Sequence, residues 1–129
     1  MASSVVVFTV EDNPLVQEHL RTALSEAGYG VEAAYGADEA EERFGDPNFQ
    51  PKALVIDVVL KGKSSGWDVA RLARQRNPEI AIVYVTARAT EEWPSHGVPN
   101  SILITKPFVE AQVVTAVSQL LVTKSTPQS

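Results

Sequence analysis

The sequence predicts an α/β domain in which helices cover both faces of a parallel β-sheet. Short apolar runs rich in β-branched residues alternate along the chain with segments of helical periodicity. Continuous apolar runs are typical of parallel strands, because the connecting helices bury both faces of the sheet. The central run, ALVIDVVL at residues 53–60, holds one carboxylate, Asp57, between two apolar halves. This alternation of strands and helices indicates a doubly wound sheet.

Length and composition indicate one soluble domain. Of the 129 residues, 44% are hydrophobic and 21% charged, as expected of a chain that buries a core. A net charge of −5 argues against a surface for nucleic acid or an anionic membrane. No apolar stretch approaches the roughly 20 residues of a membrane span, and the N-terminus lacks a signal-peptide pattern. We therefore expect a cytoplasmic protein, and the lack of cysteine excludes disulfides and thiolate catalysis.

The first half of the chain predicts two strands and two helices. Asn13 is a suitable N-cap and Pro14 a suitable first residue for the first helix, and Gly28 ends it. The second strand is less regularly patterned and is expected at an edge of the sheet. These elements are predicted at residues 5–10 (strand), 14–27 (helix), 29–35 (strand) and 37–44 (helix).

The second half predicts three more strands. Besides the central run, the elements are expected at residues 67–76 (helix), 80–85 (strand), 102–104 (strand) and 108–122 (helix). Between the last two strands stand Pro94, Gly97 and Pro99, so the fourth helix should be short or irregular. Right-handed crossovers and one chain reversal then give five strands in the order 2-1-3-4-5, the flavodoxin-like arrangement.

Polar side chains follow four of the predicted strands. Glu11 and Asp12 follow the first, Asp57 the third, Thr86 the fourth and Lys106 the fifth. Because the carboxyl ends of parallel strands meet at one edge of a sheet, these side chains should converge. Three neighbouring carboxylates repel one another, and Mg²⁺ together with the lysine ammonium would relieve that repulsion. The set predicts a magnesium-dependent site for phosphoryl transfer, with the central aspartate as nucleophile.

The other residues of this set have distinct expected roles. Asp12 is expected to bind the metal directly, beside the nucleophilic aspartate, and Glu11 through a water molecule. The backbone carbonyl of Val59 is expected to add one more ligand. Thr86 would donate a hydrogen bond to a phosphoryl oxygen, and Lys106 would pair with another.

Four segments carry a resemblance to a known family. VVVFTVEDN, ALVIDVVL, AIVYVTA and ILITKPF resemble the signature blocks of the receiver domain of two-component response regulators. The resemblance covers residues 5–122 and implies a bacterial signalling domain, not an enzyme, that takes a phosphoryl group from a sensor histidine kinase onto Asp57. It implies a stand-alone receiver over residues 1–124, followed by a disordered tail at 125–129. Beyond the kinase, the implied partners are a phosphotransfer protein or a downstream protein target.

The sequence departs from the family pattern at several positions. Lys61 stands where the family usually has proline, so the loop after the acceptor is expected to be looser. Leu103 stands where the family usually has Tyr or Phe, so a rotating aromatic side chain cannot report phosphorylation. Val59 has no polar group to orient an attacking water, and Arg88 either holds such a water or shields the phosphoryl group. Dephosphorylation is therefore expected to be slow.

Other functions of the same fold are open alternatives. A pseudo-receiver would keep the fold as a docking module without phosphorylation, and a relay or sink would pass the phosphoryl group on. A flavodoxin or a hydrolase with a nucleophilic aspartate is disfavoured, because the chain has no Gly-rich phosphate loop and no second aspartate two residues beyond Asp57.

The last helix carries two adjacent apolar stripes. The stripe predicted to face the sheet comprises Val109, Val113, Ala116 and Leu120. The second stripe comprises Val114, Val117 and Leu121. Because exposed apolar patches usually mark interaction sites, the second stripe is a candidate face for a partner or a homodimer. The alternative is that the irregular segment at residues 90–100 folds over it.

Overall fold

The computed structural model describes residues 5–87 and 90–125 of the chain. The strands are β1 (Val6–Val10), β2 (Gly30–Ala34), β3 (Ala53–Ile56), β4 (Ala81–Thr86) and β5 (Ser101–Thr105). All of them are parallel and form one sheet in the order β2-β1-β3-β4-β5, which confirms the predicted fold class and strand order.

Helices connect the strands and follow the last one. They are α1 (Pro14–Glu26), α2 (Ala37–Phe44), α3 (Gly66–Arg76), α4 (Trp93–His96) and α5 (Glu110–Ser125). A single 3₁₀ turn, Thr90–Glu92, precedes α4. The last helix continues three residues beyond its predicted end, into the predicted tail, and residues 126–129 lie outside the described part. None of the described helices is long and apolar enough to span a membrane.

The sheet separates two apolar layers, because successive side chains of a strand point to opposite faces. Phe8 of β1 and Ile56 of β3 pack with α2 and α3 on one face. Val7 and Val55 of the same strands pack with α1 and α5 on the other. Every residue of β3 and β4 is buried, so the two central strands hold the carboxyl edge of the sheet in a fixed position.

Local sequence signals fix where the helices begin and end. Asn13 Oδ1 accepts a hydrogen bond from the backbone N–H of Leu15 at 2.9 Å, as an N-cap does. Gly28 follows the C-cap of α1 with a φ of 99°, a conformation that glycine adopts without strain. Ser65 and Asp68 form a reciprocal capping box at the start of α3. The predicted boundaries of these helices were therefore nearly correct.

The segment between β4 and β5 contains only a short fourth helix, as predicted, and α3 holds the segment in place. The helix α4 has only four residues. Arg71 donates a hydrogen bond to the carbonyl of His96 at 3.3 Å. Arg74 donates to the carbonyls of Pro99 at 2.6 Å and Asn100 at 3.3 Å. These bonds satisfy carbonyls that a regular helix would have paired internally.

Two tryptophans also anchor this segment. Trp93 Nε1 donates to Ser101 Oγ at 3.0 Å, and its ring packs against the α2–α3 side of the core. Trp67 of α3 is buried, lies edge-on to Tyr84 of β4, and donates from Nε1 to Glu92 Oε1 at 3.2 Å. Trp93 therefore anchors the loop, and Trp67 adds a second anchor.

The prediction that the second stripe of α5 is an exposed face is wrong. Val117 is fully buried, and Val114 and Leu121 are partly buried against the same core layer. The irregular segment does not cover this stripe, because its Trp93 and Val98 belong to the layer on the opposite face of the sheet.

The helix α1 lies beside α5 on the same face of the sheet. The two apolar stripes of α5 are adjacent because this helix packs against α1 as well as against the sheet. The ring of His19 stacks on that of Phe108, with centroids 4.9 Å apart. Tyr29, just beyond α1, shares a hydrogen bond of 2.6 Å with Ser118 of α5. The first stripe is buried except at Val109, which precedes the helix and is 63% exposed.

A close backbone contact at Gly66 generates a stability prediction. A Cβ at this position would lie 2.2 Å from the carbonyl oxygen of Asp57. We expect Gly66→Ala to lower the free energy of unfolding by about 2–3 kcal/mol, as overpacking does. Urea unfolding measures the change.

The matched control for this substitution is Gly36→Ala. At Gly36 the nearest atom to an added Cβ is the carbonyl oxygen of Lys61 at 3.6 Å, which is an ordinary contact. We expect a loss of about 1 kcal/mol or less, because alanine is a poorer N-cap than glycine. Equal losses in the two variants would contradict the steric argument.

Candidate active site at the carboxyl edge of the sheet

Three carboxylates meet just beyond the ends of β1 and β3. Glu11, Asp12 and Asp57 each offer an oxygen, and these oxygens lie within 4.8 Å of one another. Glu11 is 1% exposed and Asp57 is 7% exposed, while Asp12 is less buried. The structure thus brings together the three acidic side chains that the sequence predicted to converge.

Lys106, which follows β5, provides the positive charge of the site. Its Nζ donates to Asp57 Oδ2 at 2.7 Å and to Glu11 Oε1 at 2.9 Å. The other oxygen of Asp57 accepts the backbone N–H of Val59 at 3.0 Å. The other oxygen of Glu11 accepts the backbone N–H of Asn13, also at 3.0 Å. Both carboxylates are therefore held at each of their oxygens.

Burial and charge act in opposite directions on these groups. Burial raises the pKa of Glu11 above its ordinary value, although hydrogen bonds from Lys106 and Asn13 reduce the rise. Burial lowers the pKa of the Lys106 ammonium, but its hydrogen bonds to Asp57 and Glu11 outweigh burial and leave that pKa raised. Lys106 therefore stays charged at neutral pH and offsets part of the negative charge.

Thr86 and Val59 complete the predicted set. Thr86 is the last residue of β4 and is buried, and its carbonyl accepts the backbone N–H of Lys106 at 2.9 Å. The end of β4 is therefore bonded directly to the residue that carries the ammonium group. The side chain of Val59 is exposed at the mouth of the site. The assignment of its carbonyl as a metal ligand stays a prediction.

The carboxylate cluster fits a small hard cation. Its donors are all oxygens, the type that Mg²⁺ prefers, and they come from three separate residues on one side of the site. Ligands of Mg²⁺ lie about 2.1 Å from the ion, so opposite ligands are about 4.2 Å apart. The observed spread of up to 4.8 Å requires only a small contraction.

An open cavity of about 500 Å³ lies along the loop that follows Asp57. Its lining includes the apolar residues Val58, Val59 and Trp67 and the charged residues Lys63 and Glu92. Of the departures from the family pattern, Leu103 is partly buried against the α2–α3 layer, and Arg88 lies outside the described residues.

Sequence reasoning missed two residues that shape the site. Gly66 lies against the backbone of Asp57, and its N–H donates to the carbonyl of Val58 at 2.8 Å. Gln17 is buried in α1 although it is polar. Gln17 stands three residues before Leu20 and seven before Leu24, both buried. This helical spacing was the signal that could have placed Gln17 on the buried face of α1.

The fold and site define an α/β domain with an acidic, lysine-containing centre at the carboxyl edge of a doubly wound sheet. The family model described as the response regulator receiver domain matches residues 7–118. The chain belongs to this family, and so to the receiver domains of two-component response regulators.

Relatives and solved structures agree with this assignment. The response regulator MprA of Mycobacterium ulcerans is 38% identical over 85 residues, which are 66% of this chain and 35% of the relative. The protein of the same name in Mycobacterium tuberculosis is 36% identical over 85 residues, 66% of this chain and 36% of the relative. The chain thus spans about a third of the length of these curated relatives.

Two solved structures illustrate the structural similarity. A crystal structure of a response regulator receiver protein from Sinorhizobium medicae has a TM-score of 0.91 and 35% identity, covering 95% of this chain and 98% of that one. A CheY-like receiver domain protein from Methanospirillum hungatei has a TM-score of 0.83 and 21% identity, covering 95% of this chain and 97% of that one. The second shows likeness of fold alone.

The raised pKa of Glu11 predicts a pH-dependent stability in metal-free protein. The folded state holds this proton more tightly than the unfolded chain, so stability falls as pH rises from the ordinary value of 4.5 through the raised one. We expect the stability of Glu11→Gln relative to wild type to increase between about pH 4 and pH 7.5, because residue 11 of the variant does not titrate.

Urea midpoints across this pH range measure the difference. The exposed Glu42 supplies the control, because Glu42→Gln removes the same charge from a solvated position and should follow the wild-type curve. If the curves of Glu11→Gln and wild type ran parallel, Glu11 would not be the titrating group.

Proposed function

We propose that this receiver domain accepts a phosphoryl group on Asp57 from the phosphohistidine of a sensor histidine kinase, in the cytoplasm of a bacterium. The observation that supports this most is the position of Asp57, which directly follows β3 and lies close to two further carboxylates and the ammonium group of Lys106. An acceptor carboxylate needs positive charge nearby, because the incoming phosphoryl group is itself negative.

The proposed transfer forms one bond and breaks one. A carboxylate oxygen of Asp57 attacks phosphorus, forming an O–P bond and an acyl phosphate. The P–N bond to the imidazole breaks, and its electron pair stays on the imidazole nitrogen. An imidazole that carries a proton on its other nitrogen then leaves as a neutral group.

The residues around Asp57 orient the carboxylate for this attack. The backbone N–H of Val59 holds one carboxylate oxygen and Lys106 Nζ the other, so the group cannot rotate freely. When an oxygen becomes bonded to phosphorus, the ammonium group is close enough to pair with a phosphoryl oxygen instead. The hydroxyl of Thr86, at the end of β4, would donate to another.

Glu11, Asp12 and Asp57 would hold Mg²⁺, with the carbonyl of Val59 as the expected further ligand. The ion, when bound, supplies positive charge that offsets the carboxylates and the phosphoryl oxygens. Phosphorylation would then be communicated through the bond between the backbones of Lys106 and Thr86. The consequence would be a shift of the loop after β4, altering the surface offered to a phosphotransfer protein or downstream target.

The first prediction from this function concerns the acceptor. We expect Asp57→Asn to reduce incorporation of label from a phosphorylated kinase to background, because an amide oxygen does not form a stable acyl phosphate. Chelation of Mg²⁺ should do the same to the wild type. Transfer of radioactive phosphate measures both effects.

Asp46→Asn is the control, since Asp46 is exposed and lies outside the site. It should label as the wild type does. Undiminished labelling of Asp57→Asn would reject the assigned acceptor, and absence of labelling in the wild type with every kinase and with acetyl phosphate would favour a pseudo-receiver.

The second prediction separates labelling from response. We expect Lys106→Ala and Thr86→Ala still to accept the phosphoryl group, but to change conformation much less than the wild type. Each lacks one of the two side chains that would bind the phosphoryl oxygens. Amide chemical shifts with and without beryllofluoride, a mimic of the phosphoryl group, measure the response.

Thr115→Ala, at an exposed position of α5, should respond like the wild type. Shift changes as large as those of the wild type in both site variants would show that neither side chain transmits the signal.

A further inference from the structure

The buried polar residue Gln17 contacts the backbone from which the acidic cluster projects. Its side chain belongs to α1, is 2% exposed, and makes four hydrogen bonds. The carboxamide oxygen accepts the hydroxyl of Thr9. The carboxamide nitrogen donates to the carbonyls of Ala34 at 2.9 Å, Thr9 at 3.3 Å and Glu11 at 3.3 Å.

These partners hold the backbone that carries two of the carboxylates. Thr9 is in β1, and Glu11 follows the end of that strand. Ala34 is the last residue of β2, and its carbonyl also accepts the backbone N–H of Glu11 at 3.1 Å. One carboxamide therefore joins α1, β1 and β2 at the point where the chain leaves the sheet.

The cluster needs such a tie because its members repel one another. Glu11 and Asp12 both lie beyond the end of β1, and like charges tend to separate. A neutral carboxamide restrains the backbone without adding charge to the site. A charged side chain at this buried position would change the electrostatic balance that Lys106 sets.

We infer that Gln17 is a positioning residue for the metal ligands Glu11 and Asp12. The carboxamide keeps both carboxylates in the arrangement that a divalent cation requires, although it touches neither carboxylate group itself. The inference rests on the proposed function, because it takes Mg²⁺ to be the ligand of the cluster. Residues that orient the ligands of a metal typically contribute strongly to its affinity.

The test is the Mg²⁺ affinity of the unphosphorylated full chain, measured by titration of the metal-free protein. Gln17→Met removes all four hydrogen bonds and keeps the shape of the side chain. We expect it to weaken Mg²⁺ binding by about tenfold or more. Amide chemical shifts of Glu11 and Asp12 should also change in the metal-free state.

Leu24→Ala is the control for a merely structural role. Leu24 is buried in the same helix, two turns farther from the site. Its truncation should destabilise the fold but leave Mg²⁺ affinity within about twofold of the wild type, because it orients no ligand. Thr9→Val serves as a second variant if Gln17→Met does not fold. It removes the bond to the carboxamide oxygen together with the hydroxyl's contact to the carbonyl of Glu32 at 3.3 Å, and it should weaken Mg²⁺ binding severalfold.

Each result decides the inference. Unchanged affinity in Gln17→Met, or in Thr9→Val where that variant is needed, overturns it while leaving the proposed function intact. An equal loss of affinity in Leu24→Ala also overturns it, since general destabilisation would then explain the effect. A wild type that binds no Mg²⁺ overturns the metal part of the proposed function and this inference together.

Discussion

The acidic edge of the sheet depends on the ammonium group of Lys106, which lies between the carboxylates of Glu11 and Asp57. With Asp12 included, three carboxylates and one ammonium leave a charge of −2 when all four are ionised. A divalent cation would bring this to neutrality. The same lysine is bonded through its backbone to the end of β4, so the balance of charge and the position of two strands are linked.

The positions of the charged side chains are well defined, because each charged residue stands one or two positions beyond a strand. Its direction is therefore set by backbone contacts. Gly66 lets α3 approach the carbonyl of Asp57, and Gln17 ties the chain beyond β1 to α1 and β2. Such supports have little freedom to vary, since a side chain in place of the glycine hydrogen would collide with backbone.

Much of the fold and site could be predicted because local signals agree with the global arrangement. Buried apolar runs define the central strands, Asn13 and Gly28 mark the bounds of α1, and parallel strands bring their terminal residues to one edge. The prediction failed where a contact joins distant parts of the chain. The apolar arc of α5 is wide because it packs on α1 as well as the sheet, and helical periodicity does not reveal the second neighbour. Gln17 is polar, so composition alone places it on the surface.

The two tryptophans of the chain both belong to the junction between α3 and the segment before β5. Each indole N–H has a side-chain acceptor there, Glu92 for Trp67 and Ser101 for Trp93. Indole emission depends on the polarity and hydrogen bonding around the ring. The intrinsic fluorescence of this protein is therefore a label-free local probe. When only the tryptophans are excited, the wavelength and quenching of the emission follow this junction, the part of the molecule that stands in place of a regular fourth helix.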